Sequence, residues 1–287
     1  MIVNLLRRLK NRLVAPPVRA GHGPSGEEQA AAVRQKRIFL EPPDMSDIGG
    51  GYTETGLNEY IVLKTTKWFE QIDPDTFKIP AHLYGLLFVL ETASMRLGRP
   101  INVTDFGGGA PVLPWVAKNL GIALFGKYRV IEQETFLEKA PPAWAELAEY
   151  GSSFGTEPID ILILSSVLPY IGRDEAERLF AEIETLQPTF IYLGRTAFLP
   201  EEYPHDEVYT IQESVFKDHG PQIPTGLTEI EQRIARYPRR HFKRSTVDQR
   251  LARMNYRRKV SLLDDSGVEV IENFQLYSYN SLWELAK

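Results

Sequence analysis

The chain has 287 residues, 43% of them apolar and 25% charged, with a formal net charge of −5. That profile is the one of a soluble globular protein with one large domain plus extensions, or two small domains. With no cysteine there is neither a disulfide framework nor a thiolate metal site, and His22, His82, His205, His219 and His241 show no ligand spacing, so no metal centre is expected. The net charge hides an asymmetry: Arg233 to Lys259 holds eleven Lys/Arg and one acid, Asp248. This run reads either as a solvated basic face or as a surface for an anionic lipid or phosphorylated substrate. It is too poor in stacking aromatics for a nucleic-acid partner to be expected.

Residues 1–14 place Ile2, Leu5, Leu6, Leu9 and Leu13 at helical spacing with Arg7, Arg8, Lys10, Arg12 and no acid. The segment is too short and too charged to span a bilayer and lacks the apolar core of a signal peptide. A basic amphipathic helix of this kind either lies in an anionic membrane surface or docks on the domain or a partner chain. Residues 15–47 read as a linker, and 48–98 as a helical region in which Gly49–Gly51 and Tyr52 form either a lid or a plain turn. Within it Leu83, Leu86, Leu87 and Leu90 mark an amphipathic helix ending near Gly98.

From residue 99 to 287 the pattern is that of an α/β domain. Apolar strands are expected at Ile101–Phe106, at Tyr128–Ile131 ending in Glu132, at Ile159–Ser165, and at Phe190–Leu193 ending in Arg195. Helical patterns lie between them. Continuously apolar strands alternating with helices indicate a doubly wound, mostly parallel sheet of Rossmann-like form. Residues 198–245 read as an insertion after the last of these strands. A helix over 246–263 and a strand over 268–277 are expected to close the domain.

The stretch 103-VTDFGGGAPVLPW-115 lies after the first strand, where such sheets bind nucleotide-like ligands. It is not a dinucleotide fingerprint, because Val112 stands at the third glycine position, and no P-loop Lys follows. That also disfavours a nicotinamide-dependent enzyme. Pro114 is read as the residue that initiates the helix. Pro111 and Pro114 each remove an N–H from the region that would cradle a phosphate. S-adenosylmethionine carries no phosphate. It needs close backbone approach, which Gly107 and Gly109 allow, and a carboxylate for its ribose hydroxyls, which Glu132 offers. A turn without a ligand is the alternative on this motif alone.

The elements D-F-G-G-G, V-I-E-Q, D-I-L-I-L-S-S-V-L-P-Y-I and I-Y-L-G-R-T-A-F-L together resemble the class I methyltransferase family often encoded in bacterial surface-polysaccharide loci. The resemblance runs from about Gly50 to Phe274. It implies an S-adenosylmethionine-dependent enzyme whose cofactor site is made by Asp105, Gly107, Gly108 and Gly109, by Glu132 and Gln133, and by Ser165 and Ser166. Tyr170 and Arg195 would stand at the mouths of the following strands. It further implies a saccharide or lipid-linked glycan acceptor and a cytoplasmic enzyme; with a lipid- or nucleoside-phosphate-linked sugar, Arg195 and the 233–259 segment would hold the acceptor and residues 1–14 would place the enzyme at the inner membrane face. Arg195 is read as a buried charge that needs either an anionic substrate or Glu132 or Asp160 as partner. Two departures stand out: Pro111 in place of a small residue, and only ten residues after Tyr277, which leaves little room for a final strand. They motivate an alternative, a methyltransferase-like module without catalysis that binds or assembles. No general base stands out among Tyr170, His82, His205 and His219.

Overall fold

The computed structural model describes residues 37–43, 55–71, 79, 81–216 and 233–286. The segment 1–14, most of the linker, Gly49–Gly51 with Tyr52, His22 and His219 lie outside the described residues. In chain order the elements are β1 (Ile38–Phe39), α1 (Thr55–Gln71), α2 (Ala81–Leu97), β2 (Ile101–Phe106), α3 (Val112–Asn119), β3 (Phe125–Ile131), α4 (Glu134–Leu137), a 3-10 turn (Pro142–Glu146) and β4 (Glu149–Gly151). They continue with β5 (Ile161–Ser165), α5 (Arg173–Leu186), β6 (Phe190–Phe198), β7 (Glu207–Phe216), β8 (Arg233–Phe242), α6 (Arg244–Arg253), β9 (Tyr256–Ile271) and β10 (Phe274–Leu285).

The central sheet has the order β4-β3-β2-β5-β6-β10-β9. Strands β4, β3, β2, β5 and β6 pair in parallel, and β10 is antiparallel to both β6 and β9. The sheet is therefore mostly parallel, with β10 the reversed strand. The strand order reverses direction at β2, which puts a crevice at the carboxyl end of β2, the position where such sheets take ligands. The apolar run of β5 explains its central place. Ile161 and Ile163 face the layer of α2 and α3, with Leu86, Leu90, Leu113 and Val116. Leu162 and Leu164 face the opposite layer, with Leu179 and Ile183 of α5 and Val247 and Leu251 of α6. A strand covered on both sides by helices has no polar face to display.

The last third differs from the sequence reading. The helix expected over 246–263 stops at Arg253, because Asn255 adopts a left-handed φ of 65° and the chain turns directly into β9. The single strand expected over 268–277 is the turn of a hairpin, with Glu272 at φ 52° between β9 and β10. The final strand, doubted because so few residues follow Tyr277, is present: β10 runs to Leu285 and fills the place between β6 and β9.

Residues 198–245 carry β7 and β8, which form a separate three-stranded sheet of order β1-β7-β8 with Ile38–Phe39. It is fastened to the main sheet beside the carboxyl end of β5: the Arg240 N–H donates to the Pro169 carbonyl (2.7 Å) and the Leu199 N–H to the Phe242 carbonyl (3.0 Å). The basic run of 233–259 is largely answered in space by acids from elsewhere. Arg239 pairs with Glu269 at 2.9 Å, Arg240 with Glu207 at 3.3 Å, Lys243 with Asp206 at 3.0 Å, Arg250 with Glu177 at 2.7 Å and Lys259 with Glu284 at 3.1 Å. Its concentration of charge is a property of the sequence more than of the surface, which favours the bland of the two readings. Among the described residues no helix is long and apolar enough to cross a membrane.

Candidate functional site

The turn after β2 is built on two left-handed glycines, Gly107 at φ 68° and Gly109 at φ 61°. The Gly107 N–H donates to the Ile131 carbonyl (2.9 Å), tying the turn to the end of β3. A Cβ on Gly107 would lie 2.7 Å from Cγ2 of Val167, and one on Gly108 2.4 Å from Cγ of Asp105. Glycine is required here by close approach as well as by φ.

Glu132 follows β3 and reaches back across the turn. Its Oε1 accepts from the Gly109 N–H at 2.9 Å and its Oε2 from the Gln133 N–H at 3.1 Å. Burial pushes the Glu132 carboxyl above the usual carboxylate range, and these two backbone donors oppose the rise. The hydroxyl of Tyr150, on β4, donates to the Gly109 carbonyl at 3.2 Å. The helix start beyond the turn has few donors left. Pro111 and Pro114 have no N–H, and the Val112 N–H donates to the Ala110 carbonyl at 2.8 Å. Helix α3 begins at Val112, with Pro111 before it and Pro114 inside the first turn, not at Pro114 as the sequence implied. A proline is tolerated there because first-turn N–H groups have no intrahelical acceptor.

Asp105 lies beneath the turn, 8% exposed, and accepts from the Tyr128 hydroxyl at 2.6 Å. Its carboxyl is pushed up from 3.8 to about 7, chiefly by burial; the Tyr128 hydrogen bond works against the rise and the charge of Glu132 adds to it. A carboxyl that binds its proton more tightly when folded stabilises the fold fully below its unfolded value and loses that contribution as pH rises through its folded value. Stability is therefore expected to fall between about pH 4 and pH 7, by at most about 4 kcal/mol. In Asp105→Asn this slope should flatten; urea midpoints across that range check it.

The structure brings Asp105, Gly107, Gly108, Gly109, Glu132 and Gln133 together at the carboxyl ends of β2 and β3. Ser165 and Ser166 end the neighbouring β5. Ser166 sits at a left-handed φ of 58°, its N–H donating to the Gly194 carbonyl at 2.8 Å and its hydroxyl to the Arg195 carbonyl at 3.3 Å. The next residue, Val167, touches the glycine turn. Tyr170 is directed toward the β7–β8 hairpin, its hydroxyl donating to Oε1 of Gln212 (3.1 Å) and its ring lying against Tyr237 and beneath Arg239. Burial raises the Tyr170 hydroxyl's affinity for its proton, so it stays protonated and is not available as a base. His82 opens α2, and its side chain lies outside the described residues. His205 is exposed beside Tyr203.

Arg195 departs from expectation. It neither ends its strand nor is buried. β6 continues to Phe198, and Arg195 takes a left-handed φ of 51° at an irregularity where the Arg195 N–H donates to Oδ1 of Asn280 at 2.9 Å. The bulge turns its side chain to solvent. Asp160 is held instead by Arg99, through two bonds of 2.7 Å, and by the Asn102 N–H.

Sequence reasoning missed four contributors. Tyr128 holds Asp105; a tyrosine within an apolar strand needs a partner for its hydroxyl, which was the available signal. Tyr150 holds the turn's carbonyl. Ser152 to Phe154 follow β4 next to Glu132, whose N–H donates to the Gly151 carbonyl at 3.0 Å, and Phe154 stacks on Phe106. Helix α1 closes over α3 and α4. Asn58 donates to the Thr135 hydroxyl at 3.1 Å, Lys139 pairs with Glu59, and Trp68 and Phe69 pack on Trp115. At its other end Leu57, Tyr60 and Ile61 meet Tyr170 and Tyr237 in one cluster.

No described protein family and no curated protein matches the sequence. Among solved structures the fold is similar to an S-adenosylmethionine-dependent methyltransferase from Clostridium acetobutylicum ATCC 824, at 11% identity and a TM-score of 0.49, over 81% of this chain and 100% of that one. It is also similar to magnesium protoporphyrin IX methyltransferase from Synechocystis PCC 6803 with bound S-adenosylmethionine, at 12% identity and 0.43, over 83% and 99%. A third is 1,6-didemethyltoxoflavin-N1-methyltransferase from Burkholderia thailandensis, at 12% identity and 0.44, over 88% and 100%.

Proposed function

We propose that the chain is an S-adenosylmethionine-dependent methyltransferase. The observation that carries this reading is the pairing of Glu132 with the glycine turn: a half-buried carboxylate held at 2.9 Å from the Gly109 N–H, next to a helix start with few donors left. A carboxylate in that position suits a ribose diol, and a donor-poor helix start suits a ligand without phosphate. Gly107 to Gly109 would lie against the methionine part, and Gln133 with Ser152 to Phe154 beside the adenine. Ser165 and Ser166 would flank the sulfonium. When bound, the cofactor supplies an electrophilic methyl group; the chain's own residues bind, orient and exclude water. Helix α1, through Tyr60, and Tyr170 and Tyr237 form the wall against which an acceptor would lie.

For the acceptor we propose a small molecule of saccharide type, free or as a glycan precursor in cell-surface polysaccharide biosynthesis. The motif resemblance supports this, as do aromatic rings at the mouth. Exposed Arg195 is the residue for an anionic group on it. A second reading, a binding module without turnover, is favoured by one fact: both Glu132 oxygens already accept backbone hydrogen bonds. A carboxylate has lone pairs for about four, so the engagement does not close the site.

Incubation with methyl-labelled S-adenosylmethionine and a panel of nucleotide-linked sugars tests the reading. Label in a sugar with release of S-adenosylhomocysteine supports the enzyme. Cofactor binding without label in any acceptor removes the sugar acceptor, and no cofactor binding at millimolar concentration removes the enzyme and leaves the module.

A further inference from the structure

The chain passes from β4 to β5 without a helix. Residues 152–160 alone cross the two strands, β3 and β2, that lie between them in the sheet. Arg129 of β3 lies under that crossing. Its neighbours Tyr128 and Val130 belong to the core on the side of α2 and α3, so Arg129, between them, projects from the other face. A Cβ on Gly151 would come 3.0 Å from its Nη2, and one on Gly155 2.7 Å from its Nη1. One guanidinium therefore lies against both ends of the Gly151–Gly155 loop. Glu149, opposite Arg129 in the β3–β4 pairing, approaches Nη1 only to 4.0 Å, and the buried Nε has no hydrogen-bond partner among the described residues. Packing between two residues without side chains, more than bonding, sets the place of this group.

Between the two glycines, Ser152, Ser153 and Phe154 make no backbone hydrogen bond to any described residue, so their N–H and C=O groups are open. Phe154 stacks on Phe106 at 5.8 Å, which fixes the loop from the side of the glycine turn. Resting on the reading of this crevice as an S-adenosylmethionine site, we propose that Arg129 is the positioning residue of the adenine-side loop. It fixes where the open backbone groups of Ser152 to Phe154 stand, and so gives the site its preference for an amino purine over the oxo counterpart. Adenine presents an amino donor beside a ring-nitrogen acceptor; hypoxanthine presents an oxygen acceptor beside a ring N–H, the reverse order. Backbone groups held to suit the first set donor against donor with the second, which is costly, whereas a loose loop turns to suit either. Arg129 touches neither the base nor the reacting methyl and acts through the loop.

The full chain and its Arg129→Ala and Arg129→Lys variants are titrated calorimetrically with S-adenosylhomocysteine and with S-inosylhomocysteine, which differ only at that edge of the base. The unaltered chain is expected to prefer the adenine compound about tenfold or more. In Arg129→Ala the preference is expected to fall to about twofold or less. Arg129→Lys keeps the charge but not the planar group, and is expected to recover only part of the preference. Amide exchange of residues 152–156 in the ligand-free chain is expected to rise about tenfold in Arg129→Ala, with the melting temperature of each variant showing that it is folded. An equal loss of affinity for both compounds with the preference kept would make Arg129 a merely structural residue and overturn the proposal. Unchanged exchange across the loop, or an unaltered chain without preference, would overturn it equally. An unaltered chain that binds neither compound would overturn the cofactor reading itself, and the proposal with it.

Discussion

Glu132→Ala is expected to weaken S-adenosylmethionine binding about a hundredfold in calorimetry. Two hydrogen bonds from a ribose diol to a charged acceptor contribute about 1.5–3 kcal/mol each, and a loss of about 3 kcal/mol is a hundredfold in affinity. The substitution has a second consequence. It removes the acceptor that fixes the Gly109 N–H at 2.9 Å, so the turn also loses its connection to β3 on that side. Glu132→Gln separates the two effects, because the amide oxygen still accepts from Gly109 while the charge is gone. Its loss should be smaller, about tenfold. If alanine at this position left affinity unchanged, the ribose assignment would be wrong, whatever the protein binds.

Gly107→Ala is expected to give the largest loss of stability of any single alanine in the site. The left-handed φ of 68° is unfavourable for a residue with a Cβ, by roughly 1–2 kcal/mol. The new methyl also lands 2.7 Å from Cγ2 of Val167, a β-branched side chain with little freedom to move. Overpacking of that kind costs about 1–3 kcal/mol. Together these approach a large part of the stability of an ordinary domain, so a fall in Tm on the order of 10 °C is expected. Gly85→Ala is the control with the opposite sign. A Cβ there meets nothing within 4 Å and the residue lies inside α2, so alanine should stabilise by up to about 1 kcal/mol. Thermal denaturation of the two variants side by side distinguishes a specific requirement at Gly107 from a general intolerance of substitution.

The parts of the fold legible in the sequence are those whose residues leave little choice. β5 is a short apolar run that only a sheet covered on both faces can accommodate, and the left-handed turn between β2 and α3 needs glycine at 107 and 109. Glu132 was visible because it follows an apolar strand at a fixed distance from that turn. The hairpin β9–β10 was hidden because Arg257 to Leu262 groups three charges before Val260 and Leu262 and shows no period-two alternation, and the same residues also suit an amphipathic helix. What ends α6 is the left-handed Asn255, one residue that helix periodicity does not weigh heavily.

Within the site, the unseen contributions are tertiary. Tyr128 meets Asp105 because β2 and β3 lie side by side, and Val167 meets Gly107 because β5 is the other neighbour of β2. Arg195 shows the limit of reasoning from cost alone. An arginine after four apolar residues implied a buried charge, but the bulge opposite Asn280 turns it out of the strand and removes the penalty. The insertion at 198–245 shows the opposite case. Its prolines and charges gave no fold, yet through Arg240 and Gln212 it holds the loop that carries Tyr170.

On the proposed reading, the turn after β2 accepts a ribose diol and a carboxylate-bearing chain but not a phosphate. Calorimetric titration of one preparation with S-adenosylhomocysteine, then with NAD⁺ and ADP, tests it most directly. Binding of S-adenosylhomocysteine at micromolar concentration, with no heat from either phosphate-bearing ligand, is the expected result. Binding of NAD⁺ or ADP with S-adenosylhomocysteine silent would contradict it.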